Sequence, residues 1–125
     1  MKFYTNVSRV SNSICYRGYE DGIRVRYRDS FSPMLFVSSK NPATEWKTME
    51  GFPVEPIQFE GMKEASEFSK RYEYVDSLTV FGNTNFAAQY IQENFPSDIK
   101  YDASLIKVAN IDIEVASDDG FPEPE

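Results

Sequence analysis

Apolar and polar positions alternate with period two over the first part of the chain. Phe3 to Val10 and Ser13 to Tyr19 are rich in β-branched and aromatic residues and are predicted as strands. Asp21-Gly22 carries type I′ hairpin chemistry, because glycine tolerates a positive φ. Ile23 to Arg28 alternates cleanly. Ile23, Val25 and Tyr27 take one face, and Arg24, Arg26 and Arg28 take the other. Met34 to Val37 is a short apolar strand after Pro33, and 40–44 is a loop. Trp46 to Met49 is a candidate strand, and Glu50-Gly51-Phe52-Pro53 turns the chain into a strand at Val54 to Phe59.

The period then changes. Met62, Ala65, Phe68, Ser69 and Tyr72 fall at helical spacing after Gly61. Leu78 to Phe81 is a strand closed by Gly82. Asn83 or Thr84 is the expected cap of a second helix with Phe86, Tyr90, Ile91 and Phe95 as its apolar stripe, ended by Pro96. Ile99 to Tyr101 and Leu105 to Val115 return to strand. The expected fold is α+β: a β-rich meander over 1–59, then a β-α-β-α-β part from about residue 54. By length, 125 residues fit one ordinary domain.

The last predicted strand carries two acids, Asp112 and Glu114, in an apolar run with Ile111, Ile113 and Val115. On a strand, i and i+2 share a face, so the carboxylates would lie side by side. Such a pair is either a solvated strand face or a metal site. Mg²⁺ takes hard oxygen ligands and keeps several waters, so one or two protein carboxylates per ion suffice. Two ions about 3.5–4 Å apart can activate a water and stabilise a leaving oxygen in phosphodiester hydrolysis.

The flanks bear on that choice. Val108-Ala109-Asn110-Ile111-Asp112-Ile113-Glu114-Val115, followed by Ser117 and Asp119-Gly120-Phe121-Pro122-Glu123-Pro124, resembles the first exonuclease motif of family B DNA polymerases. The resemblance extends in particular to the replicative polymerases of T-even-type bacteriophages. It is dense over about twenty residues and more diffuse upstream, at Phe31-Ser32-Pro33-Met34-Leu35-Phe36 and at Ile99-Lys100-Tyr101-Asp102 leading into Ile106 to Asn110. It implies that Asp112 and Glu114 bind the two Mg²⁺ ions of a 3′→5′ proofreading exonuclease. It also implies that 1–104 is the N-terminal domain of such a polymerase and that 105–125 holds the first strand and loop of an RNase H-like exonuclease domain. The family's second and third exonuclease motifs lie later in the chain and have no counterpart here. Tyr72 and Asp76 fit the bare Tyr-x-x-x-Asp pattern of the third motif, but they precede the first one, so the match is rejected. The chain is therefore expected to be a fragment, or one piece of a split polymerase, and inactive alone.

Composition narrows the remaining chemistry. With no histidine, Ser-His-Asp triads, Cys-His pairs and histidine metal sites are excluded. The single cysteine, Cys15, permits no internal disulfide, suits a reducing cytoplasm and reads as a small apolar filler. No apolar run approaches the ~20 residues needed to span a membrane. The net charge of −7 is unevenly placed: residues 1–30 hold six basic and three acidic side chains, the rest seven basic and seventeen acidic. Arg24, Arg26 and Arg28 thus form either a phosphate-contacting stripe or a solvated face that keeps a strand edge from pairing. Trp46 with Phe36 and the tyrosines is either a base-stacking platform or core.

Three functions compete. The leading one is the N-terminal portion of a phage replicative DNA polymerase, with DNA and the rest of the polymerase as partners. The second is a free-standing module for single-stranded nucleic acid, RNA included, built on the arginine stripe and the β-α-β-α-β part. The third is a protein-interaction domain in which Asp112 and Glu114 have no role.

Overall fold

The computed structural model describes residues 1–116. Its elements are six strands, β1 (Lys2–Val10), β2 (Ser13–Glu20), β3 (Ile23–Asp29), β4 (Met34–Ser38), β5 (Val54–Gln58) and β6 (Val80–Phe81), and two helices, α1 (Met62–Arg71) and α2 (Phe86–Asn94). A 3-10 turn follows at Ala103–Leu105. The strands form two three-stranded sheets, one ordered β1-β2-β3 and the other β5-β4-β6. All pairings are antiparallel.

The first sheet is the expected meander. Its second hairpin turns at Asp21 and Gly22, both with positive φ (51° and 81°), as type I′ chemistry requires. The β1–β2 register slips by one residue between Tyr4 and Asn6, a bulge at Thr5. Opposite the bulge, Gly18 lies so close to β1 that a Cβ there would sit 2.3 Å from the Phe3 carbonyl oxygen.

The core is built from one face of this sheet and from what is laid on it. Ile14 and Tyr16 of β2 pack with Phe31, with Leu35 of β4, with Phe59, with Met62 and Ala65 of α1, and with Phe86 and Tyr90 of α2. Side-chain amides join the layers. Asn12, in the β1–β2 turn, accepts a hydrogen bond from the Lys63 amide at 3.0 Å, capping α1, whose own N-cap residue, Gly61, has no side chain to do so. Gln89 of α2 clamps the start of β4, accepting from Met34 N at 3.0 Å and donating to Met34 O at 2.9 Å.

Several expectations are corrected. The meander does not continue through residue 59, because β4 and β5 leave for the second sheet. Trp46 to Met49 makes only a single bridge, Lys47 to Pro53, since Thr48 is taken up in a tight loop that accepts from Gly51 N and Phe52 N. Asn85, not Asn83 or Thr84, caps α2 by accepting from Ala88 N at 3.2 Å, while Asn83 accepts from Asn85 N just before the helix. The segments 99–101 and 105–115 are not strands, so among the described residues the β-α-β-α-β run stops at α2. Ile111 and Ile113 are 84% and 78% exposed. A strand needs a neighbour to pair its N–H and C=O groups, and none of the described strands pairs with this segment.

Candidate nucleic-acid interface and the terminal carboxylates

The tight turn at Asp21-Gly22 places Glu20 opposite Ile23, and pairing propagates from there: Tyr19 to Arg24, Arg17 to Arg26, Cys15 to Arg28. Side chains directly opposite share a face. The open face of the first sheet therefore carries four guanidiniums, Arg17, Arg24, Arg26 and Arg28, all exposed. Val25 and Tyr27 turn inward as the alternation predicts, packed against the core. Ile23 departs from it, at 69% exposed, because the hairpin tip runs past the core. On the far side, β1 places Asn6 opposite Arg17 and Ser8 opposite Cys15. Together with Val10, Tyr16, Arg26, Tyr27 and Arg28 they line a trough of about 500 Å³.

The carboxylates nearest in sequence to this face are occupied elsewhere. Glu20 pairs with Lys2 at 3.6 Å, and Asp21 pairs with the N-terminal ammonium at 2.6 Å. That ammonium, by hydrogen bond and charge, holds the Asp21 carboxyl below the usual carboxylate range. Asp29 accepts from Tyr90 OH at 2.8 Å, and burial together with that bond pushes the Tyr90 hydroxyl far up. Among the described residues no salt bridge involves any of the four arginines.

Arg24, Arg26 and Arg28 thus lie together as the alternation predicts. Arg17 is missing from the sequence-based set, although its signal was present: once Asp21-Gly22 is a two-residue turn, Arg17 must face Arg26. Cys15 is half-buried on this open face, not a filler of the core. Trp46 stands apart on the second sheet, 47% exposed, with its ring 5.4 Å from that of Phe36. The aromatics of the first sheet offer no comparable surface. Tyr16 stacks on Tyr27 at 4.8 Å within the core, and Tyr19 stacks on Phe3 at 5.2 Å while donating to Leu105 O at 3.0 Å.

Asp112 and Glu114 are both exposed, on the segment that is not a strand. Their side-by-side placement is consequently not set by any ladder. They are the hard oxygen donors that Mg²⁺ prefers, yet no group of three or more candidate ligands comes together among the described residues. The donor type fits two Mg²⁺ ions and the donor number does not. Ser117 and Asp119 to Pro124, the distal part of the run that resembles the exonuclease motif, lie outside the described residues.

No family model matches the chain. It is 37% identical over 125 residues to the DNA-directed DNA polymerase of Escherichia phage RB69 and 33% identical over 124 residues to that of Enterobacteria phage T4. Each match takes in 98% of this chain. The chain is related to phage DNA-directed DNA polymerases. It spans only 14% of the length of these two relatives, and the match fits an N-terminal fragment of such a polymerase. The matched span of this chain includes both the basic face and the segment with Asp112 and Glu114. No helix among its described residues is long and apolar enough to cross a membrane.

Proposed function

We propose that this chain is the N-terminal portion of a phage replicative DNA-directed DNA polymerase that also proofreads 3′→5′. It would act in the cytoplasm of the host cell, with DNA and the remainder of the polymerase as its partners. The observation that carries this reading is similarity over 98% of the chain to two phage polymerases, of which it spans 14%. In this reading residues 1–104 supply a nucleic-acid-contacting domain through the arginine face, and 105–125 enter an exonuclease domain of the RNase H-like type.

Asp112 and Glu114 are proposed to contribute carboxylate oxygens to a two-Mg²⁺ site whose other ligands come from outside the described residues. When bound, such ions would supply water activation and leaving-group stabilisation. The chain's own part is to hold two negative oxygens close together, and the missing neighbours of 106–116 would give that segment its strand ladder. Placement carries much of this chemistry, so the chain alone is expected to be inactive as a nuclease.

The test is a chimera in which this chain replaces the matching segment of the phage RB69 polymerase. The chimera should extend a primer and excise a mismatched 3′ end. The double variant Asp112→Ala/Glu114→Ala should lose excision by orders of magnitude and keep extension. Equal retention or equal loss of both rates would end the assignment of these residues as metal ligands.

A further inference from the structure

The arginine face has a property that the linear stripe Arg24/Arg26/Arg28 does not express. Arg17 and Arg26 are direct cross-strand partners. Like charges in that position repel, and among the described residues neither guanidinium is ion-paired. We propose that Arg17 is the central contact of a trough that holds the sugar–phosphate backbone of one flexible single strand, with the bases turned away from the sheet. This inference rests on the nucleic-acid reading of the same face given above.

Three observations support it. First, the trough lies between the side chains of β1 and β3, two strand spacings or about 9–10 Å apart, the width of a single backbone. Second, its lining offers charge and neutral donors: Arg17, Arg26 and Arg28 with Asn6 and Ser8. Third, the two tyrosines in its lining are taken up by each other: Tyr16, fully buried, and Tyr27, half-buried, stack at 4.8 Å, and Tyr19 is closed off by Phe3 and by its bond to Leu105. Stacking on aromatic side chains is how sequence-tolerant proteins usually hold bases, so this face has only the backbone to hold. The sheet's twist also favours a flexible strand over a duplex with a persistence length of about 50 nm.

The experiment is fluorescence anisotropy of the full chain with labelled oligothymidylate and oligoadenylate of about 16 nucleotides, and with a duplex of equal length, over a salt series. Circular dichroism confirms that each variant is folded. The two homopolymers should bind within about threefold of each other and more tightly than the duplex. With three to four phosphates neutralised, log affinity against log salt should have a slope of about −2 to −3. Arg17→Ser should weaken binding at least as much as Arg26→Ser and make the slope shallower by about 0.7. If Arg17→Ser binds like the parent while Arg24→Ser/Arg26→Ser/Arg28→Ser loses binding, the central role of Arg17 is overturned and the nucleic-acid reading stands. A tenfold preference for one homopolymer, or for the duplex, overturns the single-strand backbone assignment. If the parent fails to bind at low salt, or the quadruple arginine variant binds as well as the parent, both readings of this face fall.

Discussion

Replacing Gly18 by alanine tests how the bulge in the first sheet is built. Gly18 is fully enclosed between β1 and β3, and an added Cβ would meet Phe3 O at 2.3 Å and both Tyr4 Cα and Tyr16 OH at 2.9 Å. Two of the three contacts are backbone atoms, which cannot rotate aside. The strand pair would have to separate, or the bulge at Thr5 would have to shift register. Either movement disturbs the stack of Phe3 on Tyr19, where Phe3 is only 1% exposed. Overpacking a well-filled site costs about 1–3 kcal/mol, and a rigid backbone neighbour places Gly18→Ala near the top, about 3 kcal/mol. For a domain of this size that is a drop in Tm of about 10 °C. Gly22→Ala is the control, because it fails for the opposite reason. Its φ is +81° and no heavy atom lies within 4 Å of an added Cβ, so it is strained but not crowded. The left-handed backbone should cost it about 1 kcal/mol. Urea and thermal melts of the two variants against the parent decide the matter. If Gly18→Ala costs no more than Gly22→Ala, the close approach at the bulge is not what requires a glycine at 18.

Two further variants probe the buried face of the first sheet and the start of α1. Tyr16 OH is buried without a hydrogen-bond partner among the described residues, so Tyr16→Phe should leave stability unchanged or raise it by about 1 kcal/mol in a urea melt. Burial pushes the Tyr16 hydroxyl up to about 12 from an ordinary value near 10. The neutral form is thus favoured in the folded state, its stabilisation is complete below pH 10 and is lost as pH rises from about 10 to 12, and Tyr16→Phe should flatten that alkaline decline. Asn12→Ala removes the side chain that caps α1 from the neighbouring hairpin, and should cost about 1 kcal/mol with faster hydrogen exchange at the Lys63 amide.

The elements of this chain were legible where one local rule decides them. Alternation across Ile23 to Arg28 and the Asp21-Gly22 turn define β2, β3 and their register, and so even the position of Arg17. The change to helical period at Met62 and the stop at Pro96 mark the two helices. The relation to phage polymerases was likewise present in the residues around Asp112 and Glu114. What the sequence could not decide was everything that depends on a partner distant along the chain. The division into two sheets turns on β4 pairing with β6, more than forty residues later, and no local pattern encodes such a pairing. Asn12 capping α1 and Gln89 clamping β4 are contacts across 51 and 55 residues. The terminal segment shows the same limit from the other side. Ile111, Ile113 and Val115 read as a buried strand because their side chains would suit one, yet they stand exposed. A strand is stabilised by its neighbour's backbone and by the surface laid against it, and whether those are present is a property of the assembled fold, not of the run itself.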